Sequence, residues 1–424
     1  MRERIRVLIV DDSVVVRRLV TDVLASDPAL EVVGSAPNGQ VALSKIAELS
    51  PDVVTLDIEM PVMDGLQTIK EIRKIHRRLP VIMFSTLTER GASATLEALS
   101  SGASDYVTKP ANVGSVTESM ESVRAQLIPK IKALVVDAPP TSPPRTTASP
   151  RSSATIPATP VAVRARSATG KTPRALVIGS STGGPEALSA VLEKLPASLG
   201  VPVLVTQHMP PVFTRLYAQR LDKVSALHVV EATDGEAVVA GTVYVAPGDY
   251  HMEVVRRGAQ LVIKLQQGPA ENFCRPAVDV MMRSALAAFG ADLLAVVLTG
   301  MGSDGKLGCK AIAAAGGQVV VQDEATSVVW GMPGAIAREG IADEVLPLTA
   351  IADAVQRRLG SGARAAAPAR IPRTIPAPQT PVPKTPAPQT PAPARAGIGS
   401  PRTSALPSTS RPAAPAARPS TGRW

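Results

Sequence analysis

The chain has 424 residues, which is enough for two ordinary domains and additional segments. Its formal net charge of +9 comes from two proline-rich stretches: residues 138–173 hold five basic residues, residues 363–424 hold nine, and neither stretch holds an acidic one. The rest of the chain carries a net charge of −5, which argues against a strongly basic nucleic-acid-binding surface on the folded parts. We therefore expect no nucleic-acid partner.

The two cysteines cannot form a disulfide framework, and no C-x-x-C pair suggests a zinc site. Such cysteine usage is typical of a reducing compartment. The first residues lead directly into a short strand without the apolar core of a signal peptide. No apolar run approaches the roughly 18 residues needed to cross a bilayer. We expect a cytoplasmic protein without membrane insertion.

Residues 1–135 show five alternations of strand and helix. Apolar runs predict strands at Arg6–Val10, Glu31–Ser35, Asp52–Leu56, Pro80–Phe84 and Asp105–Val107, and amphipathic periodicity predicts helices such as Gly65–Arg77 and Ala92–Leu99. Alternating units of this kind form a parallel sheet with helices on both faces. We predict an α/β fold with the flavodoxin-like strand order 2-1-3-4-5.

Five side chains suited to phosphate chemistry follow the predicted strands of this domain. Asp11 and Asp12 end the first strand and Asp57 ends the third, and these strands are neighbours in the flavodoxin-like order. Three carboxylates that close repel each other unless a cation holds them, and oxygen-seeking Mg²⁺ suits the set. Ser85 and Lys109 follow the fourth and fifth strands, where they would suit a phosphoryl group on Asp57. One such aspartate alone could be a helix cap, but the five together favour a phosphorylation site.

The sequence around these residues resembles the response-regulator receiver domain over residues 4–125. The motifs that carry the resemblance are Val-Asp-Asp-Ser13, Leu-Asp57-Ile-Glu-Met-Pro61-Val-Met-Asp-Gly65 and Lys109-Pro110. The resemblance implies that Asp57 accepts a phosphoryl group from a histidine kinase, with Ser85 as the switch hydroxyl and Lys109 as the phosphate contact. It also implies Mg²⁺ as the cofactor of phosphorylation, with the ligands Asp11, Asp12, Asp57 and the backbone carbonyl of Glu59.

Two segments lie outside the predicted domains, a linker at residues 136–173 and a tail at residues 361–424. Both are rich in Pro, Ala, Ser and Thr, and such a composition buries too little apolar surface to offset the entropy of ordering. We predict that both are disordered or polyproline-like. Binding of nucleic acid or an anionic membrane by the basic tail is an alternative to a simple solvated tail.

Residues 174–360 again alternate strand and helix, from a strand at Arg174–Gly179 to a helical pattern at Ala350–Leu359. We predict a doubly wound, Rossmann-like parallel sheet. Three apolar runs of this domain end at Ser181, His208 and Asp304, and chemistry in such sheets collects beyond the carboxyl ends of the strands. A serine, a histidine and an aspartate at three strand ends predict a serine hydrolase.

The serine lies in the turn Gly179-Ser180-Ser181-Thr182-Gly183, which matches the G-x-S-x-G pattern of a nucleophile before a helix. That frame selects Ser181 over Ser180. The glycines let the backbone approach a substrate carbonyl, and the amides at the start of the following helix favour developing negative charge. The alternative is a phosphate-binding loop, although neither G-x-G-x-x-G nor a Lys-Ser/Thr ending is present.

His208 is the preferred base among the four histidines, because two prolines soon after it force the backbone out of the sheet. Its rival is His251, which follows an Ala-Pro-Gly-Asp-Tyr run, whereas His228 fits a strand face and His76 a helix end. A base beside the serine hydroxyl is needed because that hydroxyl is a poor nucleophile by itself.

Asp304 lies in the run Leu-Thr-Gly-Met-Gly-Ser-Asp-Gly after another predicted strand and would orient the imidazole. An aspartate flanked by glycine is also a common turn former. The amide of Met301 in the same loop is a candidate donor to the oxyanion. The chain order Ser, His, Asp excludes the α/β-hydrolase order, so the triad is expected on a different doubly wound sheet.

Four motifs of the second domain resemble the CheB-type protein-glutamate methylesterase family of bacterial chemotaxis. They are Ile-Gly-Ser-Ser181-Thr-Gly-Gly-Pro-Glu-Ala, Thr-Gln-His208-Met-Pro-Pro, Val-Ala-Pro-Gly-Asp-Tyr-His-Met and Leu-Thr-Gly-Met-Gly-Ser-Asp304-Gly. The resemblance covers residues 174–358 and implies a phosphorylation-activated hydrolase that demethylates glutamate γ-methyl esters on chemoreceptor cytoplasmic domains. It also implies deamidation of certain glutamines and no cofactor for hydrolysis. Ser181 would be the nucleophile, His208 the base and Asp304 the orienting carboxylate, with Thr182 and Met301 lining the oxyanion and substrate pocket.

Two alternatives to this function stay open. The same hydrolase could serve a receptor-like array of another pathway, which the sequence does not separate. The second alternative is a receiver joined to a catalytically silent scaffold or to a DNA-binding domain. No helix-turn-helix is recognisable, which argues against DNA binding, and a silent scaffold would not require all three triad side chains. For the hydrolase, we expect the face around the fourth and fifth receiver strands to cover the Ser181 cleft until Asp57 is phosphorylated.

Overall fold

The structure is a computed structural model that describes residues 4–109, 116–136 and 172–360. Nearly all of the predicted linker, the predicted tail at residues 361–424 and Pro110 of the receiver motif lie outside the described residues. Within the described ranges, no helix is long and apolar enough to cross a membrane.

The described residues up to 136 form a five-stranded sheet with helices between the strands. Its elements are β1 (Ile5–Val10), α1 (Val14–Ala25), β2 (Leu30–Ala36), α2 (Gly39–Leu49), β3 (Val53–Asp57), α3 (Gly65–Ile75), β4 (Val81–Ser85), α4 (Glu89–Ser100), β5 (Asp105–Thr108) and α5 (Val116–Val136). The strand order β2-β1-β3-β4-β5 is the predicted one, and all neighbouring pairs are parallel. The predicted strands differ from the observed ones by no more than one residue at either end.

Local contacts fix the end of β3, where Asp57 lies. The side chain of Asp64 accepts a hydrogen bond from the amide of Gln67 at 2.8 Å and so caps the start of α3. Gly65 begins that helix because a Cβ atom there would lie 2.2 Å from the carbonyl oxygen of Asp57. This close approach holds the start of α3 against the carboxyl end of β3.

Residues 172–360 form a second sheet of seven strands, a separate hairpin and helices on both sides. The elements are β6 (Ala175–Ser180), α6 (Gly184–Leu192), β7 (Val203–Gln207), α7 (Phe213–Val224), β8 (His228–Glu231), β9 (Thr242–Val245), β10 (His251–Arg257), β11 (Gln260–Gln266), α8 (Val278–Phe289), β12 (Leu293–Val297), α9 (Lys306–Ala314), β13 (Gln318–Gln322), α10 (Gly331–Arg338), β14 (Glu344–Leu346) and α11 (Leu348–Leu359). The sheet order is β14-β13-β12-β6-β7-β9-β8, and its neighbouring pairs are all parallel. The predicted doubly wound fold is confirmed.

The second domain departs from simple alternation at two places. No helix separates β8 from β9 along the chain, and β10 and β11 form an antiparallel hairpin outside the main sheet. The hairpin closes between Arg257 and Gln260 through a two-residue turn, where Gly258 has a φ of +60°. Glycine favours such a left-handed turn position, which matches the twist of the two strands.

Strand β6 is buried on both faces, as expected for a central parallel strand. Leu176 and Ile178 pack into one apolar cluster, and Ala175 and Val177 pack into another on the opposite face. The first cluster continues into the receiver domain through residues of α4 and β5. The two domains therefore share buried apolar surface.

Candidate active site and phosphorylation site

The three predicted triad residues follow three adjacent strands of the second sheet. Ser181 directly follows β6, His208 directly follows β7, and Asp304 lies in the loop between β12 and α9. Because the strands pair in the order β12-β6-β7, their carboxyl ends meet at one edge. The structure thus brings the three residues to one region of the fold.

Asp304 is buried and accepts hydrogen bonds on both carboxylate oxygens. Its Oδ2 atom lies 2.8 Å from Nε2 of His208 and accepts from the amide of Val278 at 2.7 Å. Its Oδ1 atom accepts from the amides of Asp279 and Gly305. Burial alone would raise the pKa of Asp304, but these hydrogen bonds, led by the one with His208, lower it. The carboxylate is therefore held charged beside the imidazole.

The second ring nitrogen of His208, Nδ1, faces Cys274, which was not among the site residues predicted from the sequence. Sγ of Cys274 lies 3.4 Å from Nδ1 of His208. Burial alone would lower the pKa of His208, but the contacts with Asp304 and Cys274 outweigh it and raise that pKa to about 10. In this arrangement both ring nitrogens are engaged. A serine hydroxyl could replace Cys274 at Nδ1 while the contact between Nε2 and Asp304 is kept.

The two neighbouring serines have different surroundings. Ser180 is fully buried and donates a hydrogen bond to Oε1 of Gln207 at 2.6 Å. Ser181 is partly exposed and lines a pocket together with His208. Among the described residues, the Ser181 hydroxyl has no hydrogen-bond partner. Of the two serines, only Ser181 is not fully buried, and this is consistent with the prediction that Ser181 is the nucleophile.

Two loops approach Ser181 so closely that glycine is required. A Cβ atom at Gly300 would lie 2.9 Å from Cβ of Ser181, and the amide of Ser181 donates to the carbonyl oxygen of Thr299 at 3.1 Å. At Gly183, the residue that precedes α6 and has a φ of +73°, a Cβ atom would lie 2.5 Å from a side-chain carbon of Val328. These contacts fix the position of the serine turn against the loop that carries Asp304.

The two residues predicted to line the substrate pocket lie near the receiver domain. Thr182 is buried and its hydroxyl donates a 2.6 Å hydrogen bond to Oδ2 of Asp105 on β5. Met301 is half-buried and packs against an apolar cluster formed mostly by receiver residues. Their assignment to the pocket stays a prediction, since in this arrangement the Thr182 hydroxyl is bonded to the receiver.

The remaining histidines have structural surroundings. His251, the rival of His208, is buried, lies 3.0 Å through Nε2 from the carbonyl oxygen of Pro269, and accepts from the amide of Ala277 at 3.2 Å through Nδ1. His228 lies exposed on β8 and His76 ends α3. His208 is thus the histidine that contacts the predicted aspartate.

The receiver domain encloses the pocket at Ser181. The pocket has a volume of about 20 Å³ and is lined by Ser181, His208 and neighbouring residues of the second domain on one side and by Leu99, Asp105, Tyr106 and Lys130 of the receiver on the other. About 10–15 Å³ of such volume is needed for one water molecule. A glutamyl methyl ester cannot enter so small a space.

Contacts of α4 and β5 with α6 and α7 hold the receiver in this position. The rings of Tyr106 and Phe213 stack with their centroids 4.8 Å apart. Arg220 donates to the carbonyl oxygen of Leu96 at 3.0 Å, and Ser100 donates to Glu186 at 2.8 Å. The receiver face around its fourth and fifth strands therefore covers the Ser181 cleft, as the sequence analysis expected.

The predicted phosphorylation site lies at the carboxyl edge of the receiver sheet. Asp11, Asp12 and Asp57 offer carboxylate oxygens within 4.8 Å of one another. Nζ of Lys109 lies 2.8 Å from Oδ2 of Asp57 and 3.0 Å from Oδ2 of Asp11. Burial raises the pKa of Asp57 to about 6, and the Lys109 ammonium only partly opposes this effect. A pocket of about 300 Å³ opens beside Asp57, and the carbonyl-bearing Glu59 lines it.

The donor set of this pocket fits a hard cation. Among the described residues, the buried Oδ2 of Asp11 has no hydrogen-bond partner, although it forms an ion pair with Nζ of Lys109 at 3.0 Å. Asp12 is exposed, so its carboxylate can turn toward an ion. Three carboxylates with an unbonded buried oxygen are the ligands that Mg²⁺ prefers.

Ser85 makes its contacts with α4. Its hydroxyl donates to the carbonyl oxygen of Gly91 at 3.2 Å and accepts from the hydroxyl of Thr95 at 2.6 Å. The amide of Lys109 donates to the carbonyl oxygen of Ser85 at 2.6 Å. Ser85 thus links the pocket at Asp57 to the helix that packs on the second domain.

Comparisons with known proteins agree with this architecture. The family model described as CheB methylesterase matches residues 176–355, and the model described as response regulator receiver domain matches residues 7–121. A protein-glutamate methylesterase/protein-glutamine glutaminase of a Nocardioides species is 57% identical over 84% of this chain and 95% of its own length. The protein of the same name from Trichodesmium erythraeum is 47% identical over 84% of this chain and 99% of its own length.

The chain belongs to the family of CheB-type protein-glutamate methylesterases/protein-glutamine glutaminases. It is a response regulator whose second domain is a methylesterase, and its class of activity is that of a hydrolase. Among solved structures, the CheB methylesterase catalytic domain of Thermotoga maritima is 42% identical and covers 44% of this chain and 98% of its own, with a TM-score of 0.43.

Proposed function

We propose that the chain hydrolyses glutamate γ-methyl esters, and deamidates certain glutamines, on the cytoplasmic domains of chemoreceptors. The observation that carries the proposal is the contact of His208 with Asp304 at 2.8 Å beside the reachable hydroxyl of Ser181. A hydroxyl, a base and an orienting carboxylate at adjacent strand ends are the parts that acyl transfer needs.

In the proposed reaction, Ser181 Oγ attacks the ester carbonyl while His208 takes its proton. Because Nε2 of His208 is engaged by Asp304, Nδ1 is the nitrogen that accepts the proton, and the hydroxyl replaces Cys274 there. His208 then returns the proton to the leaving methoxide, which departs as methanol. Water, deprotonated by the same nitrogen, cleaves the acyl-enzyme to give the glutamate and restore Ser181. The charge of Asp304 stabilises the imidazolium in both steps.

Backbone donors near Ser181 would stabilise the tetrahedral oxyanion. The proposed donor is the amide of Met301, with Thr182 completing the oxyanion and substrate pocket. Thr182 bonds to Asp105 of the receiver in this structure, and Met301 packs against an apolar cluster that contains receiver residues and Val329. Separation of the two domains is therefore a condition for forming the substrate pocket as well as for opening it.

The receiver domain supplies the regulation in this proposal. A histidine kinase is the proposed phosphodonor to Asp57, and a phosphoryl group adds about −1.5 to −2 charge units there. The proposed Mg²⁺ ligands are Asp11, Asp12, Asp57 and the backbone carbonyl of Glu59, and the ion when bound would neutralise the charge that gathers at this site. Ser85 and Lys109 would then turn toward the phosphoryl oxygens.

That movement would loosen the contact between the domains. When the Ser85 hydroxyl turns to the phosphoryl group, it leaves Gly91 and Thr95 of α4. Helix α4 carries several of the contacts with α6 and α7, so a change there is transmitted to the surface over Ser181. We assign the receiver to residues 1–135, the linker to 136–173, the catalytic domain to 174–360 and the tail to 361–424, and we place the protein in the cytoplasm with its kinase.

The test compares two serine variants of the full-length protein. With a methylated receptor cytoplasmic fragment, a small-molecule phosphodonor and Mg²⁺, we expect Ser181→Ala to lose methanol release by roughly 10⁶-fold, the loss seen when a triad nucleophile is removed. Ser180→Ala should keep most of the rate, because its hydroxyl is buried and bonded to Gln207. Loss in Ser180→Ala with activity kept in Ser181→Ala would overturn the assignment of the nucleophile.

A further inference from the structure

The turn beside the triad presents an aromatic side chain to solvent. Phe273 has a relative exposure of 103%, the highest among the exposed large apolar residues of the described chain. It precedes Cys274, whose sulfur contacts His208. Single exposed apolar residues are common on protein surfaces and need no explanation by themselves. Its position beside His208 sets Phe273 apart, since Val62, which is also exposed and has a φ of +70°, lies in the receiver.

Phe273 occupies a backbone conformation that its side chain disfavours. The chain makes a two-residue turn between Glu271 and Cys274, closed by backbone hydrogen bonds of 3.1 and 2.9 Å. Asn272 and Phe273 both have positive φ, +53° and +62°. Such a turn favours Asn and Gly at its two central positions. Asn272 fits that preference, whereas a bulky residue in the place of glycine is strained.

The turn is attached rigidly to the catalytic aspartate. The side-chain amide of Asn272 donates to Oδ1 of Asp304 at 2.9 Å and to Oδ2 of Asp279 at 3.1 Å. Glu271 forms two hydrogen bonds of 2.6 Å with the guanidinium of Arg283. The ring of Phe273 is therefore held at a fixed place relative to the triad and can form a preorganised contact without further ordering.

The receiver domain leaves this side of the site uncovered. Its contacts lie over the pocket lined by Ser181 and Thr182, whereas Phe273 remains fully exposed with the receiver in place. Phe273 stands between Asn272 and Cys274, which contact Asp304 and His208. A helix rises 5.4 Å per turn, so groups one turn from an ester at Ser181 would lie near this turn. Glu271 is neutralised by Arg283, and no uncompensated charge adjoins the ring within the turn.

We propose that Phe273, presented by the Glu271–Cys274 turn, is a docking residue for the methylated receptor helix. This inference rests on the proposed function. The ring would pack on apolar groups one helical turn from the target ester. The strained conformation of Phe273 is then the cost of holding the ring where the helix passes.

The experiment uses the full-length protein with phosphodonor and Mg²⁺ and measures two reactions. Methanol release from a methylated receptor fragment reports on docking and chemistry, and hydrolysis of p-nitrophenyl acetate reports on the triad. We expect Phe273→Ala and Phe273→Asn to lower the ratio of the two kcat/KM values about tenfold, mainly through KM for the receptor fragment. Phe273→Tyr, which keeps the ring, should restore that ratio to within about twofold of the wild type.

Two further variants separate docking from a structural role. Phe273→Asn places at this position a residue that tolerates positive φ, so its melting temperature should equal or exceed that of the wild type while receptor activity falls. Val239→Ala removes another exposed apolar side chain, 50% exposed and in the segment between β8 and β9, and should leave both reactions unchanged.

The outcomes distinguish this inference from the function on which it rests. Equal ratios in the wild type, Phe273→Ala and Phe273→Asn would overturn the docking role and leave the methylesterase assignment standing. Parallel loss of both reactions would show that the turn supports the geometry of the triad, and this result would also overturn the docking role. No methanol release by the wild type would overturn the proposed function, and the docking role with it.

Discussion

At the scale of single residues, His208 is the group whose proton position would control the proposed chemistry. The neutral imidazole is the base that Ser181 requires, and it forms only as the pH rises through the pKa of His208. Burial opposes the charged ring, but Asp304 and Cys274 raise the pKa to about 10. The contacts with Asp304 and Cys274 thus favour the charged ring in this arrangement, and exchange of Cys274 for the Ser181 hydroxyl would remove one of them.

Cys274 should contribute to this raised pKa. Cys274→Ala removes the sulfur that lies 3.4 Å from Nδ1, so the charged ring loses one contact and its pKa should fall. The measurement is an NMR titration of His208 in the full-length protein. Cys309→Ala is the matched control, because Cys309 is buried and contacts Met282. An unchanged His208 titration in Cys274→Ala would show that the thiol has no part in setting the protonation of the base.

Asp304→Asn should be more harmful to the fold than its small change in shape suggests. The groups that hydrogen-bond to the two carboxylate oxygens all act as donors, among them His208, Val278 and Asn272. An asparagine NH₂ is itself a donor, so either orientation of the amide leaves donors facing each other. We expect a loss of about 1–3 kcal/mol in unfolding free energy. The kcat for methanol release should fall by about 10⁴, less than for Ser181→Ala.

Denaturant melts and steady-state kinetics check this expectation. Asn272→Ala is a useful comparison, since it removes one donor to Asp304 and keeps the carboxylate. Wild-type stability and activity in Asp304→Asn would contradict the role given to the carboxylate.

The placement of the three proposed triad residues at one sheet edge could be predicted from sequence, but their neighbours could not. Ser181, His208 and Asp304 each end or follow a strand, and the carboxyl ends of parallel strands meet at one edge whatever the details of packing. Cys274 and Asn272 belong to a loop after the β10–β11 hairpin, which is outside the main sheet. Nothing in a local pattern places that loop beside His208, which lies 66 positions earlier in the chain.

At the scale of elements, α4 and β5 of the receiver lie between the predicted phosphorylation site at Asp57 and the proposed triad. Asp105, the first residue of β5, accepts from the Thr182 hydroxyl at 2.6 Å and from Nζ of Lys130 at 2.9 Å. Because Thr182 adjoins Ser181, this buried hydrogen bond fastens the receiver directly to the serine turn. A hydrogen bond to a charged group typically contributes about 1.5–3 kcal/mol.

Asp105→Ala should therefore raise the rate without phosphodonor. We expect methanol release from the receptor fragment to increase roughly tenfold, since losing about 1.4 kcal/mol from the closed arrangement shifts the equilibrium by that factor. Asp105→Asn keeps an oxygen acceptor for Thr182 and should show a smaller increase. Glu97→Ala is the control on α4, because Glu97 forms only an exposed ion pair with Lys70. A basal rate in Asp105→Ala equal to that of the wild type would remove this contact from the gating account.

The element pattern was predictable where strand and helix alternate. The receiver strand order and the doubly wound second sheet follow from that alternation and from short connections. The β10–β11 hairpin breaks it, because a two-residue turn at Gly258 lets two short strands pair outside the sheet. The linker and tail predictions remain predictions, since they lie outside the described residues.

At the scale of the whole molecule, the receiver and the catalytic domain form a closed arrangement. They share an apolar cluster, and the pocket that remains at Ser181 has room for about one water molecule. Opening this interface exposes apolar surface and separates Tyr106 from Phe213. A modification at Asp57 can shift the equilibrium only by the difference in its stabilisation of the two arrangements, typically 1–3 kcal/mol. Activation should therefore be substantial and limited.

The most direct test of this account is the initial rate of methanol release by the full-length protein and by Asp57→Ala, each with and without a small-molecule phosphodonor and Mg²⁺. A coupling of 1–3 kcal/mol corresponds to a rise of about 5–150-fold in the wild type. Asp57→Ala should stay at the low rate in both conditions, because it has no carboxylate to phosphorylate. Equal rates in all four conditions, or activation of Asp57→Ala to the wild-type level, would contradict the claim that phosphorylation of Asp57 opens the site at Ser181.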